Sequence, residues 1–246
     1  MALIPLADYR VCVGFECSWS KPTSSPFTAS RLSVRRTLCL LVAACGLWAV
    51  AMGMTAWAAA ASPVVPAGGK VAGKGYAYWL KLVVLRQLEH TAGAPCDTVT
   101  VGGERVAILS PNTNRSVSSI TCDEPVGRPI YVVQLTYECS TLAGDHPGFG
   151  TTSAQLKKCA VVGAERAVYS ASLDGQPIDL HKLVTATGVF FVPMVAGGSA
   201  PTARSAADGP GLLLRGPIKG THTIRTTSGV PGVLPEQTVI YSVRIG

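Results

Sequence analysis

The chain has 246 residues, of which 48% are apolar and 14% are charged, and its formal net charge is +7. The ordinary apolar content excludes an intrinsically disordered chain. The 26 glycines have no three-residue period, which excludes a collagen, and together with 17 prolines they interrupt nearly every stretch that could hold several coiled-coil heptads. Basic residues after position 61 are scattered singly apart from Lys157-Lys158, so no nucleic-acid partner is expected.

An uncharged apolar stretch covers residues 37–61 and directly follows Arg35-Arg36. A basic n-region, an apolar h-region and small residues at the end are typical of a secretory signal peptide, and the alanines at 58–61 fit cleavage near Ser62. The stretch is also long enough to span about 30 Å of hydrocarbon as an uncleaved helix. A membrane anchor at 37–61, with the C-terminal part outside, is therefore the open alternative.

Residues 1–36 form a preamble that ends in the basic n-region. Its first 33 residues show no clear periodicity and do not resemble an n-region. Two explanations stay open: a real cytosolic tail, or translation that begins later, for instance at Val34. In both cases fold reasoning starts after residue 61.

Four of the eight cysteines lie in the exported part: Cys96, Cys122, Cys139 and Cys159. Four cysteines allow three pairings. Disulfides are the default in an oxidising compartment, and the pairing Cys96–Cys122 with Cys139–Cys159 is favoured because it closes short loops. No C-x-x-C pair of the kind that binds zinc is present, so neither a metal nor a cofactor is expected.

The exported part begins with a Pro-, Gly- and Ala-rich segment, residues 62–75, which predicts a linker before a domain at 76–246. Apolar residues then recur at helical spacing over 76–90, with polar residues between them, and predict one amphipathic helix. These apolar residues are Tyr78, Leu82, Leu85 and Leu88.

Beyond Gly93 the chain changes to short, often β-branched runs bounded by turn residues, which predict strands. The predicted strands cover 98–101, 105–109, 130–136, 167–173, 183–184, 189–192, 212–214, 221–226 and 238–245. Asp174-Gly175 predicts a hairpin turn. Asp123-Glu124 beside Pro125 predicts a solvated turn rather than an acid pair. Several short strands separated by turns favour a β-sandwich.

Several stretches occur in an order that resembles a group of uncharacterised bacterial exported proteins. They are GKGYAYWLK at 73–81, YECSTLAG at 137–144 with LKKC at 156–159, SASLDGQPIDL at 170–180, GVFFVP at 188–193, GPIKGTHTIRTTSG at 216–229 and TVIYSVRIG at 238–246. The resemblance implies export and a C-terminal pair of strands that carry G-x-HTI and Y-x-V. It implies no particular chemistry.

Three residues are candidates for catalysis. In the predicted strand at 221–226, Thr221, Thr223 and Arg225 share one face, and His222 and Ile224 share the other. A histidine on such an apolar face is interpreted as a hydrogen-bonded structural residue, with a catalytic role for His222 as the alternative.

The other two candidates, Asp145 and His146, are neighbours in the loop LAGDHPGFG. The glycines and proline of this loop favour a plain surface loop, with a catalytic role as the alternative. The sequence contains no G-x-S-x-G, no H-E-x-x-H and no phosphate-binding glycine loop.

Together these features predict a mainly β, disulfide-tied, β-sandwich-like domain with one N-terminal amphipathic helix, preceded by an apolar export or anchor helix. The favoured function is a non-enzymatic binding or structural module of the cell envelope or medium. Two alternatives stay open: a secreted hydrolase that uses dispersed His and Asp residues, and an envelope protein anchored by a single membrane span.

Overall fold

The structure, a computed structural model, describes residues 11–13, 16–18, 62–88, 94–111, 116–141, 150–192 and 203–246. The predicted export or anchor stretch and the candidates Asp145 and His146 lie outside the described residues. Residues 63–246 belong to one compact unit. As the sequence predicts, the described secondary structure is mainly β.

The described helices are α1 (Tyr76–Leu88), α2 (Ser153–Glu165) and the short 3-10 helix η1 (Leu180–Leu183). The strands are β1 (Val11–Val13), β2 (Glu16–Ser18), β3 (Cys96–Val101), β4 (Glu104–Leu109), β5 (Val117–Glu124), β6 (Ile130–Val133), β7 (Tyr137–Ser140), β8 (Val168–Leu173), β9 (Gln176–Ile178), β10 (Val184–Ala186), β11 (Phe190–Val192), β12 (Ala203–Leu214), β13 (Gly220–Val230) and β14 (Leu234–Ile245). Strands β1 and β2 pair only with each other among the described strands.

The first of two larger sheets is organised around β12. One side of β12 pairs with β6 and β7, and the other side pairs with β10 and β11. Strand β4 runs parallel to β6, and β3 forms the edge beyond β4. The sequence predicts only the last three residues of β12, because its first part is rich in Ala and Gly. The small residues have a packing reason: a Cβ atom on Gly211 would lie 2.3 Å from the hydroxyl of Tyr131 on β6.

The second sheet has the strand order β5-β14-β13-β8-β9, with β5 parallel to β14. The pairing of β13 with β14 places His222 opposite Val243 and Ile224 opposite Tyr241, and both valine and tyrosine are fully buried. The predicted alternation along β13 is therefore confirmed, because His222 and Ile224 share the inward face. Asp174 and Gly175 adopt positive φ angles of 50° and 79° in the predicted turn between β8 and β9.

The two sheets share one apolar cluster, and a disulfide joins their edges. The cluster contains Leu212 and Leu214 from β12 together with Ile224 and Tyr241 from the second sheet. The disulfide between Cys96 of β3 and Cys122 of β5 confirms the first predicted pairing.

Helix α1 packs on the first sheet. Trp79 is fully buried and stacks on Tyr131 at 6.2 Å between ring centroids, and Arg86 forms an ion pair with Asp97 of β3.

The helix covers Tyr76–Leu88 and matches the predicted element at 76–90 within the usual uncertainty of helix ends. The predicted apolar stripe is wrong, because Tyr78 is 37% exposed and Leu82 and Leu85 are only partly buried. The face that packs on the sheet carries the buried residues Tyr76, Trp79, Leu80, Val83 and Val84.

The segment 62–75 differs from the expected linker, because it packs against β12 and α1. Val65 is fully buried and its N–H donates to the carbonyl of Leu213 at 2.9 Å. The hydroxyl of Tyr76 donates to the carbonyl of Val65 at 2.5 Å. Pro and Gly content alone does not distinguish an irregular packed segment from a solvated one.

A second long helix, α2, corrects the expectation of a single helix. Thr152 caps its N-terminus, and Gln155 completes a capping box. Its buried stripe consists of Leu156, Ala160, Gly163 and Ala164, and such small residues produce a weak amphipathic signal. Cys159 of α2 bonds to Cys139 of β7, which confirms the second predicted pairing.

Asp123 and Glu124 do not form the expected turn, because they are the last two residues of β5. Glu124 is buried and accepts a hydrogen bond from Arg128 at 2.7 Å. The run VSSITCDE has too few large apolar residues to indicate a strand by itself. This run forms a strand because its parallel pairing with β14 supplies hydrogen-bond partners for its backbone.

Candidate functional site

An open groove lies at the end of the second sheet, where β5 and β14 finish and β13 begins. Its volume is about 480 Å³. The groove is lined by Asp123, Glu124, Pro125, Lys219, Gly220, Thr221, Arg244, Ile245 and Gly246. It is therefore formed by strand ends and by the loops that leave them.

Two loops meet beside this groove: residues 125–128 after β5 and residues 215–219 before β13. Their backbones are in direct contact, since a Cβ atom on Gly216 would lie 2.1 Å from the carbonyl carbon of Gly127. Gly127 also has a φ angle of 80°, which favours glycine. The absence of a side chain at Gly216 lets the two loops pack this closely. We call loops 125–128 and 215–219 together the loop cluster.

The charged residues of the groove are mostly paired. The Arg244 guanidinium donates to both carboxylate oxygens of Asp123 at 2.6 and 2.7 Å, across a register pair of β14 and β5. The hydrogen bond from Arg244 holds the pKa of Asp123 below its usual value. These contacts fasten the β5 end of the groove to β14.

His222 lies on the inward face of β13 next to the loop cluster, and it contacts two other segments. Its Nδ1 lies 2.8 Å from Asp174 Oδ2 in the β8–β9 turn. Its Nε2 lies 3.0 Å from the carbonyl oxygen of Ile218. The Thr223 N–H donates to Asp174 Oδ1 at 2.8 Å, so Asp174 binds both the ring and the backbone of β13.

Hydrogen bonding shifts the pKa values of this pair in opposite directions. The bond to Asp174 raises the pKa of His222; partial burial opposes this effect, and the Ile218 carbonyl adds to it. For Asp174, burial raises the pKa, but the bonds from His222 and Thr223 outweigh it and lower the pKa overall. Both shifts favour the charged forms, an imidazolium beside a carboxylate.

Of the three predicted catalytic candidates, the structure places only His222. Its carboxylate partner is Asp174, which the sequence indicates only as a turn residue 48 positions away. The pairing of β8 with β13 brings the β8–β9 turn to His222. That pairing is long-range, and sequence pattern does not specify it.

Exposed apolar side chains accompany the loop cluster. Ile218 is 76% exposed and Val126 is 56% exposed. Pro217 beside Ile218 is buried, and the Ile218 carbonyl is bound by His222, so the backbone here is held while the side chain faces solvent. A fixed backbone lowers the conformational entropy that such a side chain would lose on binding.

Two further properties apply to the part of the chain that the structure describes. It contains no group of three or more His, Cys, Asp or Glu side chains that could hold a metal ion. Its helices are all too short or too polar to cross a bilayer.

Comparisons with known proteins do not assign a family to this chain. No family model matches it, and no curated protein matches it. One chain from a solved structure, titled "Structure of PbICP-C in complex with falcipain-2", aligns with 14% identity and a TM-score of 0.23. The alignment covers 56% of this chain and 97% of that chain.

Proposed function

We propose that this protein is an exported, extracytoplasmic binding module, a disulfide-tied β-sandwich-like domain that recognises a partner through its loop cluster. Its partner contacts are Ile218 and Val126, beside the groove that contains Lys219 and the Asp123–Arg244 pair. Residues 37–61 deliver the domain as a cleaved signal peptide; an uncleaved anchor would give the same outside location.

The disulfides support the compartment. Cys96–Cys122 joins the two sheets, and Cys139–Cys159 joins α2 to the first sheet. Both bonds are integral to the packed fold, and such bonds form and persist in oxidising compartments. The two disulfides therefore support an oxidising, extracytoplasmic location.

The observation that carries the binding role is the 76% exposure of Ile218 on a loop whose backbone is fixed on both sides. Arg215 N–H donates to the Pro63 carbonyl at 2.8 Å, and His222 binds the Ile218 carbonyl. Exposed apolar surface that is rimmed by polar residues marks interaction sites on proteins. Because the neighbouring groove carries both signs of charge, the favoured occupant is a protein segment with an apolar side chain and a mixed polar flank.

Site-specific photo-crosslinking in the producing cells tests this role. A photoreactive residue is placed at Ile218, at Val126, or at the control position Val161, which is 37% exposed on α2. We expect the same discrete adduct from the first two positions and none from Val161. Ile218→Asp should suppress the adduct formed at Val126 while the circular dichroism spectrum stays unchanged.

Diffuse labelling of equal strength from all three positions would contradict the proposed surface. N-terminal sequencing of the exported product tests the signal peptide separately. A start near Ser62 supports cleavage, whereas a product that retains residues 37–61 in the membrane fraction supports the anchor.

The second candidate function, a secreted hydrolase, is favoured by one observation, the His222–Asp174 pair. A carboxylate that orients a histidine is the arrangement of a general base. However, the Nε2 that would accept a proton is bonded to the Ile218 carbonyl. Hydrolysis of model ester and peptide substrates that is abolished by His222→Gln and unaffected by His181→Gln would favour the hydrolase over the binding module.

A further inference from the structure

The end of the second sheet that carries the groove and the loop cluster is called the binding end below. His222 connects three segments of this end through its ring. They are β13, which carries it, the β8–β9 turn through Asp174, and the loop 215–219 through the Ile218 carbonyl. Both partner atoms are hydrogen-bond acceptors, an ionised carboxylate oxygen and a carbonyl oxygen. Two such bonds at 2.8 and 3.0 Å require a hydrogen on each ring nitrogen. The geometry is therefore that of the imidazolium.

We propose that His222 is a proton-dependent latch: the imidazolium holds the Ile218 backbone against β13, and loss of one proton releases it. The latch regulates the site assigned under the proposed function. The link to partner binding rests on that function, but the latch itself does not.

The chemistry of the released state follows from the two partners. When the ring gives one proton to solvent, the remaining proton stays on Nδ1, because an ionised carboxylate is a stronger acceptor than a carbonyl. Nε2 then presents a lone pair to the Ile218 oxygen at 3.0 Å. Two acceptors at this distance repel each other, so the carbonyl has to move or find another donor.

Among the groups named below, Asp174 is the charged one that faces the His222 ring. From β14, the residue directly opposite His222 is the uncharged Val243. The loop 215–219 contributes a backbone carbonyl, and its Lys219 lines the groove. Arg244 of β14 is bonded to Asp123 on the other face of the sheet. The protonation equilibrium of the latch is thus controlled mainly by one carboxylate.

The consequence concerns the binding end directly. The peptide group that contains the Ile218 carbonyl also contains the Lys219 N–H, and Lys219 and Gly220 line the groove. Rotation of that peptide group redirects the Lys219 N–H and so changes the backbone at the entrance of the groove. We expect the binding end to be ordered in mildly acidic medium and loosened in alkaline medium.

Nuclear magnetic resonance of the full chain tests the latch without any partner. Ring nitrogen signals of His222 and the amide signal of Lys219 are followed as a function of pH. We expect both ring nitrogens to be protonated in acid, a titration midpoint above the ordinary value of 6.5, and a Lys219 amide shift with the same midpoint. In Asp174→Asn, which keeps the side-chain shape and tolerates positive φ, both midpoints should fall together, because the bond to the Asp174 carboxylate is the largest cause of the raised pKa of His222.

Two variants complete the test. His222→Gln should make the Lys219 amide insensitive to pH, and His181→Gln, at an exposed histidine of η1, should leave it unchanged. A Lys219 amide that stays constant while His222 titrates, or a His222 ring that is singly protonated in acid, would overturn the latch. A positive result with a negative crosslinking result would leave the latch standing and reject the proposed function alone.

Discussion

Gly163 of α2 lies directly against the ring of Tyr137 on β7, with no room for a methyl group between them. A Cβ atom on Gly163 would come within 1.9 Å of Tyr137 Cδ1 and 2.2 Å of Cε1. Tyr137 is 5% exposed and belongs to the apolar cluster between α2 and the first sheet. The glycine therefore sets how closely α2 approaches the sheet.

Gly163→Ala should destabilise the protein even though alanine is the better helix former. Overpacking of a filled site costs about 1–3 kcal/mol, which exceeds the gain of about 1 kcal/mol in helix propensity. Urea unfolding followed by circular dichroism measures the difference. Val162→Ala on the same helix, at a side chain that is 46% exposed, is the control and should have little effect. An unchanged or raised stability for Gly163→Ala would contradict the close packing.

Removal of the Cys96–Cys122 bond by replacing both residues with alanine should lower the free energy of unfolding by about 3 kcal/mol. The bond closes a 26-residue separation and joins the edges of the two sheets. Mass mapping without reduction checks the pairing first, and denaturant unfolding measures the loss. The double Cys139→Ala, Cys159→Ala variant gives a comparison in which exchange of α2 amide hydrogens should rise most, because that bond holds α2 on β7. Free thiols in the native protein would refute the assignment.

The His222–Asp174 pair should make stability depend on pH within a defined window. The pKa of Asp174 is lowered, so its contribution is present above the unfolded value of about 3.9 and is lost as pH falls through the folded value. The pKa of His222 is raised, so its contribution is complete below about 6.5 and is lost as pH rises through the folded value.

The difference in unfolding free energy between wild type and His222→Gln should therefore be largest between about pH 4 and 6.5. It should shrink at higher pH. Denaturant unfolding at a series of pH values measures it, with His181→Gln as the control. A difference that is flat with pH would show that the ring is not charged in the folded state.

Asp208 of β12 should be a stability defect at neutral pH. It is 5% exposed, its Oδ1 has no hydrogen-bond partner among the described residues, and burial raises its pKa. Because the folded pKa is raised, ionisation destabilises the fold as pH rises above the unfolded value of about 3.9. Asp208→Asn should raise the free energy of unfolding by roughly 1 kcal/mol near pH 7 and give no gain in acid.

Thermal unfolding of both proteins across this pH range checks the prediction for Asp208. The control is Asp179→Asn, because Asp179 is exposed and its pKa is lowered by Lys182. That variant should show no gain. A loss of stability in Asp208→Asn would mean that the carboxylate has a favourable role in the fold.

Much of the fold was predictable from local patterns. The alternation along β13, the Asp174-Gly175 turn and the position of the first helix all follow from residues that are close in sequence, although the buried face of that helix differs from the predicted one. The two disulfides were also predicted as they occur, since the sequential pairing was the favoured one of three. Strand β5 and the first part of β12 were not predictable, because their residues are small or hydroxylic and obtain their β structure from neighbours.

Less of the candidate site could be predicted. His222 was identified with the correct face and as a hydrogen-bonded histidine, but its partners come from a turn and a loop elsewhere in the chain. The exposure of Ile218 and the contact of Gly216 with Gly127 likewise depend on how two loops meet. No periodicity within either loop encodes that meeting.

By itself, the sequence determined the β-rich class and the helix at Tyr76 and favoured the observed pairing of the four cysteines, because hydrophobic period, turn chemistry and short cysteine spacings act over short spans of chain. Only the tertiary structure decided that Asp174 meets His222, that α2 rests on Tyr137 and that two loops form one surface. Those contacts join residues far apart in the chain, and long-range strand pairing, which brings them together, is selected by the packing of the whole core.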